Sequence, residues 1–314
     1  MTFRALPGRQ EIVLLLLLIG VLLLAGRLSP DFLSARAQNE LSTHVWELAL
    51  LALPMTLIIL TAGIDLSVGS TMALCAVAFG LYFRAGWPIP VDAGLALLVG
   101  AAAGALNGVF VAYVRVHPLI VTLATLAAYR GVAEGVSLGR PFSGFPPGFA
   151  VLGQGSLAGL PIPGLIFLAA LLVTALLLAF TPLGLWLSAI GYNETAARYS
   201  GLAVSRLKFG LYTASGLAAG LAALLFVARR NTAKADIGTG MELDVITAVV
   251  LGGTSIFGGR GGLLGTVLGV LLIHETREFV SWQWSRDELN LIVVGALLIL
   301  SVLADSLLSP RRRQ

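Results

Sequence analysis

The chain has 314 residues, 57% of them hydrophobic and only 11% charged, with a mean hydropathy of +0.93. A soluble domain carries roughly a quarter charged residues, so the composition excludes an ordinary water-soluble globule and points to a bilayer as solvent. The net charge of +4 comes from 20 Lys and Arg against 16 Asp and Glu scattered between apolar runs, which argues against nucleic-acid binding, and the lone Cys75 excludes an intramolecular disulfide framework.

Taking about 20 mainly apolar residues as one spanning helix, the sequence predicts an all-α, polytopic membrane protein of about ten spans. They fall at 11–28, 46–63, 66–83, 93–113, 117–135, 162–180, 208–228, 243–257, 261–279 and 289–308. The first follows Arg4 and Arg9 as a signal peptide would, but the further apolar segments and the lack of a clear cleavage site predict an uncleaved span. With ten spans both termini share one side, and Arg4, Arg9 and the triplet Arg311, Arg312 and Arg313 place that side in the cytoplasm. Only a few Gly- and Ser-containing residues separate the second span from the third and the eighth from the ninth. One or two broken or re-entrant helices are expected there.

Leaving an ionisable group in hydrocarbon is costly, so polar residues at membrane depth carry a functional expectation. Asp65, Ser67 and Ser70 come first, in TAGIDLSVGST. Asp65 either caps a helix starting at Leu66 or lines a pathway. Gly100, Gly104 and Gly108 then fall four apart and predict a helix-packing face, with Asn107 beside them. Arg130 and Glu134, at i,i+4 spacing, predict a structural ion pair near the outer interface.

The connection at 136–160 is rich in Gly, Pro and Phe and falls outside; it is either a plain loop or a docking surface for an extracytoplasmic partner. The connection at 181–207 falls inside and predicts a helix of about two turns. Asn193 caps it, Glu194 suits its positive end, and Gly201 ends it in the left-handed conformation. Such a helix is too short to be stable alone in water, so it packs on its own membrane domain or on a partner. Further on, Gly216 pairs with Gly220. Asp244, Thr247, Thr254 and Ser255 lie in ELDVITAVVLGGTSIFGG, where Gly252–Gly253 and Gly258–Gly259 bracket a break of the kind transporters use in their pathways. Gly261, Gly265 and Gly269 predict a second packing face.

Several chemistries have no residues to carry them. The two lysines, Lys208 and Lys234, do not follow glycine and no P-loop is present, so the chain is not itself an ATPase. His44, His117 and His274 are far apart, giving no expectation of a metal site. No G-x-S-x-G elbow appears, so a hydrolase is not expected.

GIDLSVGS at 63–70, GYNETAARYSGL at 191–202 and AVVLGGTSIFGGRGGLLGTVLGVLL at 248–272 resemble the membrane permeases of bacterial ABC sugar importers, of the ribose, xylose, galactose, rhamnose and autoinducer-2 type. NGVFVAYVRVHPLIVTLATL and RPFSGFPPGF also fit, so the resemblance runs from about residue 45 onward. It implies a single permease domain over 1–314 in the bacterial cytoplasmic membrane, non-catalytic and without a cofactor of its own. The partners implied are a second copy or a paralogue, a cytoplasmic ATPase that binds ATP and Mg, and an extracytoplasmic sugar-binding protein. Asn193, Glu194, Ala196, Ala197, Arg198, Tyr199, Ser200 and Gly201 match the family's coupling helix. Asp65, Ser67, Ser70, Asn107, Thr247, Thr254 and Ser255 become candidates for weak polar contacts along the substrate pathway. The rival readings are a stand-alone ion-coupled transporter or channel and a structural membrane scaffold.

Overall fold

The computed structural model describes residues 9–284 and, beyond them, 289, 290, 292, 293, 295–297 and 299. The terminal arginine triplet and much of the predicted span at 289–308 lie outside the described residues. In chain order the helices are α1 Arg9–Leu28, α2 Ala35–Leu41, α3 Val45–Leu60, α4 Val68–Arg84, α5 Ile89–Gly108, α6 Pro118–Ser137, α7 Pro147–Gln154, α8 Ile162–Phe180, α9 Leu183–Tyr192, α10 Glu194–Tyr199, α11 Val204–Arg230, α12 Met241–Leu251 and α13 Leu263–Trp284. Two-residue strands trim the connections: β1 Phe142–Ser143 pairs antiparallel with β4 Thr232–Ala233, and β2 Ser156–Leu157 with β3 Leu160–Pro161.

Five helical segments are long and apolar enough to cross a bilayer among the described residues: Glu11–Leu28, Ile89–Val114, Pro118–Ser137, Ile162–Phe180 and Val204–Arg230. The second of these reaches its length because α5 continues into a π-helical stretch at Val109–Val114. Proline sits in the first turn of α5, α6, α7 and α8, where its missing N–H removes no intrahelical bond. Around the periphery α1, α6 and α8 expose Leu16, Leu23, Ile120, Leu123, Leu172 and Phe180, an apolar outer surface suited to lipid.

The long central helix is α11, whose 27 residues make a rod of about 40 Å. It packs directly on α5. A side chain on Gly104 would overlap the carbonyl oxygen of Tyr212, and Gly100 and Gly216 each sit against the other's carbonyl. Gly108 lies against Phe209, with room for a Cβ only at 3.0 Å from that residue's carbonyl oxygen. The four-residue spacing therefore does what it predicts, bringing two backbones together where side chains would hold them apart.

The second glycine series needs a correction. Gly265 and Gly269 belong to α13 and sit against the carbonyls of Gly252 and Ala248, but Gly261 is not on that helix. It precedes Leu263, has φ +154°, and its Cβ position lies 2.6 Å from the Thr254 hydroxyl oxygen. The reason is the turn that the Gly258–Gly259 and Gly261–Gly262 pairs impose before α13 can start. The predicted span at 243–257 is likewise cut short: α12 has 11 residues and stops at Leu251, about 16 Å of helix. The connection at 181–207 is also more structured than a loop, with the apolar α9 ahead of α10.

Candidate functional site

The break between α3 and α4 is a buried polar hub. The chain turns at Ala62 (φ +59°) and Gly63, and the Asp65 side chain then folds back on its own backbone. Its Oδ1 accepts hydrogen bonds from the Ser67 amide at 3.0 Å and the Ser67 hydroxyl at 2.6 Å. Its Oδ2 accepts from the Ser215 hydroxyl of α11 at 2.8 Å. Asp65 thus shapes the turn before α4 and is not the residue adjoining the helix, since α4 begins at Val68 with Ser67 as its N-cap.

The hub extends across four helices. Asn107 of α5 donates from Nδ2 to Ser67 Oγ at 2.8 Å, and Tyr129 of α6 donates to the Ala103 carbonyl at 2.8 Å, with Asn107 Oδ1 3.3 Å away. Tyr212 of α11 donates to the Ile64 carbonyl at 3.2 Å, and Ser70 donates to the Ser67 carbonyl at 2.9 Å. Asp65 is only 2% exposed, and Ser67, Ser70 and Asn107 are fully buried in protein. Sequence reasoning missed Tyr129, Tyr212 and Ser215. Their ordinary apolar surroundings, as much as 150 residues from Asp65 along the chain, gave no local signal.

The second break, between α12 and α13, is built from backbone. The Ser255 amide donates to the Arg260 carbonyl at 2.9 Å, Gly258 to Ser255 at 2.8 Å, and Gly259 to the Leu60 carbonyl of α3 at 2.9 Å. Thr247 donates to the Leu243 carbonyl at 2.6 Å, and both Thr247 and Thr254 are buried. Asp244 forms an ion pair with Arg277 of α13, and Thr56 of α3 shares a 2.7 Å hydrogen bond with Thr266. The two breaks touch: a Cβ on Gly258 would stand 2.7 Å from the Ala62 amide nitrogen.

The α10 helix is capped as the sequence predicts. Asn193 Oδ1 accepts from the Ala196 amide at 2.9 Å, and Gly201 takes φ +89°. Glu194 bonds Arg198 at 2.9 Å and, 14 residues on, Lys208 of α11 at 2.5 Å, while Arg198 donates to Ser205 at 3.2 Å. Ala197 is buried in a small cluster with Ile190 and Val204. Burial alone would push the Glu194 carboxyl up, but its hydrogen bonds and charge contacts with Lys208, then Arg198, outweigh this and hold it below its ordinary value. One face of α10 is pinned in this way. The other presents Tyr199, 88% exposed, beside Thr195 and Ser200.

At the opposite end, the connection at 136–160 folds onto the bundle. Phe145 stacks on Phe79 at a ring distance of 5.2 Å and Phe149 lies tilted against it at 4.9 Å, Phe145 N donates to Asn231 Oδ1 at 2.9 Å, and Gln154 to the Arg229 carbonyl at 2.8 Å. Arg229 in turn pairs with the buried Glu47 of α3 at 2.8 Å. Arg130 does not form the ion pair that its spacing with Glu134 predicts. Its guanidinium donates to the carbonyls of Ala235 and Ile237, because the chain from Thr232 to Gly240 is a two-residue strand followed by turns, whose carbonyls have no helical partners.

The family described as "Branched-chain amino acid transport system / permease component" matches residues 40–302. The autoinducer 2 import system permease protein LsrD of Yersinia pseudotuberculosis is 36% identical over 303 residues, covering 95% of this chain and 91% of its own. The protein of that name from Klebsiella pneumoniae is 35% identical with the same coverage, and that from Yersinia enterocolitica is 38% identical over 266 residues, covering 83% and 80%. No solved structure matches the chain. With the match running from α2 to beyond α13, the chain belongs to the branched-chain amino acid transport system permease family.

Proposed function

We propose that the chain is the membrane permease subunit of an ATP-binding-cassette importer for a small sugar-like solute, an autoinducer-2 type furanose or a related monosaccharide. The observation that carries this reading is α10, a capped helix fixed to the bundle on one face and bare on the other, in a chain related along nearly its whole length to autoinducer 2 permeases. In this reading the 1–314 permease domain lies in the bacterial cytoplasmic membrane with both termini in the cytoplasm. The α10 surface, from Asn193 through Ala196 and Tyr199 to Gly201, docks on a cytoplasmic ATPase, which holds the ATP and Mg. The face formed by 136–160 receives an extracytoplasmic sugar-binding protein. A second copy or paralogue completes the pathway.

Alternating access follows from these parts. Closure of the ATPases moves α10, and the two permease subunits rock to open the pathway on the other side. The buried Asp65, Ser67, Ser70, Asn107, Thr247, Thr254 and Ser255 act here as the polar joints around which the broken helices move, contributing to the pathway when the joints open. The test is purification of the tagged chain from its native membrane in mild detergent, followed by mass spectrometry. Recovery of a P-loop ATPase together with a secreted sugar-binding protein is expected. Recovery of the chain alone, with uptake driven by an ion gradient, would overturn the importer reading in favour of a stand-alone transporter.

A further inference from the structure

The chain enters the bundle without a helix between α11 and α12. At one end of this segment, β4 pairs with β1, and β1 lies over α4 at Gly80, where a Cβ would stand 2.6 Å from the Phe142 ring. At the other end, the Gly238 carbonyl packs so closely on Gly69 that a side chain there would overlap it. Gly80 and Gly69 are eleven residues apart on α4, about 16 Å along its axis. Residues 232–240 thus run alongside α4 as non-helical backbone, a short strand and then turns, over a length of about half a 30 Å hydrocarbon core.

Such a segment is tolerated at membrane depth only where protein or water covers it. Protein covers one side. Ala233, Ala235 and Ile237 are buried, and Arg130 of α6 satisfies the carbonyls of Ala235 and Ile237. Lys234 and Asp236, the positions between them, face outward, and Thr239 beyond them is also exposed. Beside them α6 exposes Glu134, and Gly131 and Gly135 open onto empty space. Glu242, Glu134 and Asp236 all lie within electrostatic reach of Arg130. A charged side chain facing lipid at this depth would cost about 2.5–3.5 kcal/mol or more, so this face cannot be a lipid face.

We infer that the non-helical segment Lys234–Gly240, with the Arg130–Glu134 strip of α6, is the wall of the aqueous translocation pathway in this subunit. Lys234 and Arg130 are set against Glu134, Asp236 and Glu242, so the wall has no strong field of one sign. It offers carboxylates, a hydroxyl and two cations to the hydroxyl groups of a neutral polyhydroxylated solute, and repels neither charge outright. That choice of solute rests on the importer reading; the presence of water at the wall does not.

Cysteine accessibility tests it. Cys75 is fully buried, so the native chain is a silent background. Asp236→Cys and Thr239→Cys are placed in the assembled complex in native membranes, with Leu172→Cys on the exposed apolar face of α8 as the lipid-facing control and Lys234→Cys as a further wall position should either variant fail to insert. Reaction requires the thiolate and hence water, so a charged, membrane-impermeant methanethiosulfonate is expected to modify the wall positions ~10-fold or more faster than Leu172→Cys. Saturating sugar should slow that reaction several-fold. Wall positions as inert as Leu172→Cys in the membrane, yet reactive after denaturation in detergent, would overturn the inference. The labelling needs no transport, so a wall that labels in a chain that fails to recruit an ATPase leaves the inference standing while the importer reading falls.

Discussion

Three donors converge on the carboxylate of Asp65: the amide and hydroxyl of Ser67 and the hydroxyl of Ser215. Buried donors left without an acceptor cost about 1–3 kcal/mol each, so the residue's oxygens matter more to the fold than its charge. Asp65→Ala strands all three donors and is expected to destabilise the protein by about 3 kcal/mol or more, read as a lower Tm in detergent. Asp65→Asn keeps an acceptor for Ser67 and can donate to Ser215 once that hydroxyl rotates, so its Tm should stay near the wild-type value. Equal losses in the two variants would assign the carboxylate a role that depends on its charge.

Helix seams are decided by backbone approach. The Gly265–Gly252 contact brings α13 onto the end of α12 with no room for any side chain, beside the hydrogen bonds of Gly259 to Leu60 and of Thr266 with Thr56 that tie the second break to α3. Gly265→Leu should force the helices apart and cost at least the ~1–3 kcal/mol typical of overpacking, seen as loss of monodisperse protein on size-exclusion chromatography. Gly20→Leu on α1, where nothing lies within 4 Å, should behave as wild type. If the two variants match, the seam is not what holds the break. The seams, both breaks and the capped α10 were legible because each is written locally: glycines four apart, paired glycines between apolar runs, and Asn-Glu followed by Gly. The descent of Thr232–Gly240 was not legible. NTAKADIGTG reads as a polar surface loop, and the distant Arg130, whose spacing with Glu134 suggested a local ion pair, is what satisfies the carbonyls of Ala235 and Ile237 in its non-helical backbone. The Gly261 error has the same origin, since a four-residue period does not reveal where a helix begins.

At the scale of the whole molecule, α10 is joined to both breaks through one residue. A side chain on Gly191, just ahead of α10, would overlap the Leu60 carbonyl of the first break and the Gly259 amide of the second. Displacement of α10 therefore bears on both joints at once, provided α10 stays fixed to α11 through Glu194 and Lys208. Because the Glu194 carboxyl is held below its ordinary value of 4.5, this attachment is present at and above that pH and is lost only as pH falls below it. In vesicles reconstituted with the ATPase and binding protein, the ATP hydrolysed per solute imported should therefore be set by an intact contact from neutrality down to pH 4.5. Glu194→Gln removes the charge at every pH, so the ratio is expected to rise several-fold even at neutral pH while the complex still assembles. Tyr199→Ala, on the bare face, should instead weaken recovery of the ATPase with Tm unchanged. A Glu194→Gln complex that assembles and transports at the wild-type ratio would mean that force reaches the breaks by a route other than the α10–α11 contact.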